Sequence, residues 1–140
     1  MPPDGAANSV ARARQRERNS QKERQMSIQR FDQGPNFSKL VVTDTTAYTA
    51  GYVASDLSAD VGGQTRQILA EIDSYLAKAG TDKSKLLTAN VWLKDINDFA
   101  AFNAAWSEWS DKENLPVRAT VEAKLADPKI LVEIMVTAAR

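Results

Sequence analysis

The sequence predicts an α/β chain of the α+β kind: a single mixed sheet with two helices packed on one face, in the order β-β-β-α-β-α-β-β. Three observations carry this. Residues 115–140, LPVRATVEAKLADPKILVEIMVTAAR, alternate with a period of two. Two windows upstream repeat apolar residues three and four apart. Clusters of Gly, Pro, Asn and Asp punctuate the chain between these stretches.

The elements follow in order from Ile28. A first strand ends in the turn chemistry of Gln33-Gly34-Pro35-Asn36. The apolar run Lys39 to Thr43, the turn Asp44-Thr45-Thr46 and the strand Ala47 to Gly51 make a hairpin. Apolar residues at Val61, Ile68, Leu69, Ile72, Leu76 and Ala79 share one face of a helix that ends at Gly80. Leu86 to Leu93 alternates as a strand, with Leu87, Ala89, Val91 and Leu93 on one side and Thr88, Asn90 and Trp92 on the other. A second helix starts at an Asn97-Asp98 cap and buries Phe99, Phe102, Trp106 and Trp109. Both of these tryptophans read as core or interface aromatics rather than as a stacking platform for nucleotides.

The last two strands each carry one residue that a plain strand does not need. In the first, Ala119, Val121, Ala123 and Leu125 oppose Arg118, Thr120, Glu122 and Lys124. In the second, Ile130, Val132, Ile134, Val136 and Ala138 share a face, and Glu133 lies between Leu131 and Met135 on the other. If that face is covered, the Glu133 carboxylate must be paired, hydrogen-bonded or protonated. With both helices on one side of the sheet, the other side is expected to hold Asn90, Trp92, Arg118, Thr120, Leu131, Glu133 and Met135. That surface is too mixed for a monomer core and too apolar for full exposure, so it calls for a partner.

Composition narrows the chemistry. At 140 residues the chain has the size of one domain. It has no run of about 20 apolar residues to span a membrane and no apolar segment of a secretory signal, so no membrane association and a cytoplasmic location are expected. With 0 Cys and 0 His there is no thiol nucleophile, no usual zinc site and no histidine-based acid–base scheme. Residues 1–25 carry six cationic residues, among them Arg12, Arg14, Arg16 and Arg18, against Asp4, Glu17 and Glu23, a surplus of three positive charges in a chain of zero net charge. This stretch lacks apolar periodicity and is read as a disordered, solvated basic tail ahead of a domain at 26–140.

The motifs also resemble a known family. Arg118, Val121-Glu122, Leu125, Pro128 and Val132-Glu133-Ile134 fall in register with the C-terminal signature of the RidA (YjgF) proteins. The likeness extends upstream through Tyr48-Thr49-Ala50-Gly51, Gln64-Thr65-Arg66-Gln67, Val91-Trp92-Leu93-Lys94-Asp95 and Asp98-Phe99-Ala100-Ala101-Phe102-Asn103, roughly from Met26 to Arg140. It implies a chorismate-mutase-like fold and a homotrimer whose sheets close a central barrel, with pockets between subunits. It also implies hydrolysis of reactive 2-imino or 2-enamino acids to 2-keto acids and ammonia, with no cofactor and no metal.

In that resemblance Arg118 anchors the substrate carboxylate and Glu133 handles the attacking water. A guanidinium presents a planar fork that matches a carboxylate in bidentate geometry. Phe37, Gly51, Asn103 and Thr120 are the expected substrate-binding residues. Where many members carry a tyrosine fourteen residues before the glycine of a Ser-Gly turn, this chain has Phe37, and Ala50 replaces the serine, so the likeness is to an Arg-containing sister subgroup. The rival reading is a non-catalytic trimer that binds small carboxylates. Endoribonuclease activity ranks below both, and nucleic acid is not an expected partner, because there is no His and no basic–aromatic stripe outside the tail.

Overall fold

A computed structural model describes residues 4–25 and 27–140, and Met26, the expected domain start, lies outside the described residues. The elements are α1 (Asp4–Gln25), β1 (Gln29–Phe31), β2 (Leu40–Val42), β3 (Thr46–Thr49), α2 (Val61–Lys78), β4 (Leu86–Leu93), α3 (Phe99–Trp109), β5 (Val117–Glu122) and β6 (Val132–Ala139). The six strands form one sheet in the order β1-β2-β3-β6-β4-β5. The chain returns through α3 to lay β5 parallel to β4, and all other pairings are antiparallel. From β1 onward the order is the predicted one.

The alternation in β6 explains its central place. Val132, Ile134, Val136 and Ala138 are at most 1% exposed and face α2 and α3, while the residues between them look to the opposite side. Against this face α2 sets Ile68, Leu69, Ile72 and Leu76, and α3 sets Phe102. The α2 helix begins at Asp60, whose side chain accepts from the Gly63 amide at 2.8 Å, and it gives way to Gly80 at φ 74°. Gln64 is fully buried beneath this first turn. Its amide nitrogen donates to the Leu57, Ala59 and Lys129 carbonyls and its oxygen accepts from the Leu131 amide, so it ties the loop before α2 to the start of β6.

Several expectations need correction. Residues 4–25, read as disordered, are helical. The segment is rich in Ala, Arg, Gln and Glu, all good helix formers, and Gln15 bonds Asn19 and Arg18 bonds Gln15 along the helix surface. The sequence reading was right that there is no apolar stripe, and residues 5–19 are exposed. Leu87 is exposed instead of in the core, because the pairing with β6 shifts between Leu86 and Thr88 and turns Leu86 inward. Asp98 makes no side-chain cap for α3; a short 3₁₀ turn, Ile96–Asp98, precedes the helix, and Asp95 accepts from the Asn97 amide at 2.9 Å. Phe99 is 40% exposed rather than buried.

The correction that matters most concerns β5. Arg118 is in register with Ala89 and Thr120 with Val91, and both partners are core residues under the helices. Side chains directly opposite across a strand pair share a face. Arg118 and Thr120 therefore lie on the helix side of the sheet, not on the open side where the sequence reading put them. The open side carries Tyr48, Asn90, Trp92, Ala119, Val121, Glu133 and Met135, with Val121 49% and Tyr48 45% exposed.

Candidate functional site

Arg118 extends from the edge strand β5 across one face of α3. Its Nη2 donates to Asn103 Oδ1 at 2.7 Å. Its Cζ lies 5.2 Å from the Phe102 ring centre, 5.3 Å from that of Trp106 and 5.8 Å from that of Phe99. Positions 99, 102, 103 and 106 recur along a single helical face, so one helix supplies three aromatic rings and an amide to one guanidinium. No carboxylate is paired with Arg118; the ion pairs among the described residues are Lys39–Glu71, Arg66–Glu108 and Lys78–Asp32. Glu122, on the same strand face, instead accepts from the Ile96 amide at 3.0 Å. Burial pulls the Arg118 guanidinium below its ordinary value, yet arginine stays protonated at any working pH. The result is a half-buried cation with its charge uncancelled.

A cleft of about 340 Å³ opens beside it, lined by Thr88, Ala89, Asn90, Val117, Arg118 and Ala119. A larger cavity of about 620 Å³ lies beyond the other end of β5, lined by Lys94, Glu122, Lys124, Asp127 and Pro128 among others. Volume alone would favour the latter, but its Lys94 is held by the Pro128 carbonyl and its Glu122 by a backbone amide. Neither Arg118 nor Glu133 borders it.

Glu133 sits on the open face of β6, opposite Trp92. Burial pushes its carboxyl above the ordinary range, and within one chain no cation or donor offsets that among the described residues. Gly51 shows how closely the backbone approaches it. Tyr52 bridges to Ile134, with backbone bonds of 2.8 and 3.1 Å, which brings Gly51 beside the Glu133 side chain. A Cβ at Gly51 would collide with the carboxylate oxygen and lie 3.0 Å from Cδ. Glycine is here because a carboxylate occupies the space where a side chain would go.

The expected site residues thus fall into two groups. Arg118 and Asn103 are in contact, and Thr120 shares their side of β5, its buried hydroxyl without a partner among the described residues. Gly51 and Glu133 form the other group. Phe37 lies far from the Arg118 group but on the Gly51 side, since two residues further on the Lys39 carbonyl accepts from the Ala50 amide at 3.0 Å and from the Tyr52 hydroxyl at 2.6 Å. Phe37 is 60% exposed in the β1–β2 loop, at the opposite edge of the sheet from β5, roughly five strand spacings or ~24 Å away. Missed by the sequence reading was the contact of Phe99, Phe102 and Trp106 with Arg118. Their spacing was visible, but which strand they would meet was not.

The match to the family model described as endoribonuclease L-PSP, over residues 27–140, decides the affiliation. The chain belongs to this YjgF/RidA family. Among YjgF/RidA relatives, a RutC family protein of Haemophilus ducreyi is 47% identical over 112 residues, which is 80% of this chain and 96% of that protein. The RutC family protein YoaB of Escherichia coli is 45% identical over 114 residues, 81% of this chain and 99% of the relative. A crystal structure of a YjgF family member from Neisseria meningitidis superimposes with a TM-score of 0.80 at 36% identity, covering 83% of this chain and 97% of that one. The YjgF/RidA assignment accords with the six-stranded α+β architecture. Among the described residues no helix is long and apolar enough to cross a membrane, and no cluster of three or more His, Cys, Asp or Glu is placed to hold a metal ion.

Proposed function

We propose that the protein is a hydrolytic deaminase that converts reactive 2-imino and 2-enamino acids to 2-keto acids and ammonia without a cofactor, as a cytoplasmic homotrimer. The observation that carries this reading is the Arg118 guanidinium: half-buried, oriented by Asn103 and aromatic rings, and lacking a carboxylate partner. Such a group is built to receive an anion, and a substrate carboxylate fits its fork.

The chemistry after binding needs little from the protein. Water adds its oxygen to C2 of the protonated imine, and the C=N π electrons move to nitrogen. The carbinolamine then loses ammonia as the C=O bond forms, so imine plus water gives keto acid plus ammonia. Glu133, with its carboxyl shifted upward by burial, is suited to take a proton from the water. Orientation by Arg118 and charge complementarity supply the rest.

Because Arg118 and Glu133 face opposite sides of one sheet, a complete site requires Glu133 from another copy. The open face supports such an assembly, since Tyr48, Trp92, Val121 and Met135 lie there without a cover in one chain. The same separation also favours a second reading, a trimer that binds small carboxylates without turnover. One experiment decides. An amino-acid oxidase generates the imine from several parent amino acids, and its decay is followed with and without the purified protein. Accelerated decay is expected; unaccelerated decay with retained keto-acid binding would leave the second reading.

A further inference from the structure

We infer that Phe102 and Trp106 are positioning residues, an aromatic seat that fixes the Arg118 guanidinium while leaving its positive charge free for the ligand. The inference rests on Arg118 as carboxylate anchor and goes beyond it by naming what holds the anchor.

An arginine side chain has four rotatable bonds, and the usual way to order it is a carboxylate partner. That solution would cancel the charge a substrate needs. A ring face orients a guanidinium through its quadrupole and adds no formal charge. Here Phe102 and Trp106 lie 5.2 and 5.3 Å from the guanidinium carbon, and Asn103 takes one N–H at 2.7 Å, again without neutralising it. Phe102 is 0% and Trp106 7% exposed, so neither can be a ligand-contact residue; they act through Arg118.

The seat is itself braced. Phe102 and Trp106 are 6.1 Å apart between ring centres, and Trp106 and Trp109 are 5.5 Å apart. The Trp109 indole then donates to Asp73 on α2 at 2.9 Å, and the Lys83 ammonium donates to the Trp109 carbonyl at 2.6 Å. An aromatic column therefore runs from the interhelical groove to the anchor. Packing alone would accept apolar side chains of similar volume at 102 and 106, whereas a seat requires π faces.

The test compares Trp106→Phe with Trp106→Met in the full chain, both of which shrink the side chain while only the first keeps a ring. Calorimetric binding of 2-oxobutanoate is measured together with KM and kcat for imine hydrolysis. Trp106→Phe is expected within about threefold of the parent affinity. Trp106→Met is expected to bind about five- to tenfold more weakly, with KM raised, kcat within about twofold and a melting temperature close to that of Trp106→Phe. Equal affinities in the two variants would overturn the seat and reduce it to packing. If Trp106→Met does not fold, Phe102→Leu carries the test: a raised KM with retained kcat supports the inference, and an unchanged KM overturns it. Arg118→Ala separates the two levels, because undiminished 2-oxobutanoate binding in that variant would remove the anchor itself.

Discussion

Arg118 and Glu133 lie on opposite faces of one sheet, two strands apart. Arg118 pairs with Ala89, which pairs with Val136, whereas Glu133 pairs with Trp92, which pairs with Val121. Two strand spacings alone separate them by ~10 Å, before the thickness of the sheet and the offset along the strands are added. No rotamer change brings the two groups together. A mechanism that uses both must draw them from different copies, and assembly becomes a condition for chemistry.

Complementation between two inactive variants tests this directly. Arg118→Ala and Glu133→Gln subunits, each inactive alone, are mixed, dissociated and reassembled. If every site takes Arg118 from one copy and Glu133 from its neighbour, random mixing at equal ratio leaves about one site in four with both groups intact. Turnover is expected to return to roughly that fraction of wild type. Light scattering should give about three times 15.4 kDa. No recovery in verified mixed trimers would place both groups in one subunit's site and contradict the geometry.

Arg118 substitutions should act on binding and, mildly, on stability. Arg118→Ala leaves the rings of Phe99, Phe102 and Trp106 without the guanidinium that covers them, at a cost of roughly 1–2 kcal/mol. Loss of hydrolysis by about a hundredfold or more is expected, because the substrate carboxylate loses a charged, bidentate partner. Arg118→Lys should be nearly as impaired, since an ammonium keeps the charge but not the fork. Steady-state kinetics beside a melting curve checks this; near-normal kcat/KM in folded Arg118→Ala would end the anchor reading.

Gly51→Ala tests the second half of the site. The new methyl would occupy the space of the Glu133 carboxylate, so the side chain swings away. Because the clash is with the far end of a flexible side chain rather than with backbone, the carboxylate moves at little cost to stability. Turnover is expected to fall while 2-keto acid binding, set by Arg118, changes little. A variant with unaltered kcat would show that the position of Glu133 does not matter.

Much of this arrangement was legible in the sequence, and the parts that were not have a common cause. Periodicity located β4, β6 and α2 closely, because each buries one face against neighbours of the same kind. For β5 the period was right and the face was wrong. With Ala119, Val121, Ala123 and Leu125 on one side and Arg118, Thr120, Glu122 and Lys124 on the other, apolarity pointed the first set inward. The α3 rings instead draw the arginine to the helix side, and the small apolar residues are left for the open face. An edge strand has half the partners of a central one, so a single strong side-chain interaction can decide its orientation. Asn103, Arg118 and Gly51 were each expected at the site, but the contact between Asn103 and Arg118 was not. That Gly51 approaches Glu133 depends on the Tyr52–Ile134 bridge, which spans 82 positions and leaves no local signature.

Removal of residues 1–25 should change neither assembly nor turnover. The helix α1 has no apolar face, and relatives that match across 96–99% of their own length align with about four-fifths of this chain. A polar helix of this kind is held by its own propensity and side-chain pairs rather than by a core. Light scattering and the imine-decay assay on the truncated chain check both expectations; loss of either property would give α1 a role in the trimer.

Glu133 is where a catalytic and a merely structural role forecast different results. Its carboxyl is raised by burial, so the folded chain holds its proton to higher pH than the unfolded chain does. Between the ordinary carboxylate value and the raised one, the folded state binds more protons. The contribution of Glu133 to stability therefore declines as pH rises through that window and stays low above it. Replacing it with glutamine removes the buried charge. If Glu133 serves the attacking water, Glu133→Gln should melt no lower than the parent at neutral pH, bind 2-keto acids as before and hydrolyse imines far more slowly, because an amide cannot accept the proton. In the parent, turnover should fall on acidification as the Glu133 carboxylate takes up its proton. If Glu133 were instead only the ion-pair partner of a neighbouring subunit's guanidinium, the same substitution would lower the melting temperature and leave kcat intact, since a buried cation would lose its counter-charge. Melting temperature, keto-acid affinity and the pH profile of kcat on this one variant separate the two, and unaltered turnover with a lowered melting point would take Glu133 out of the reaction.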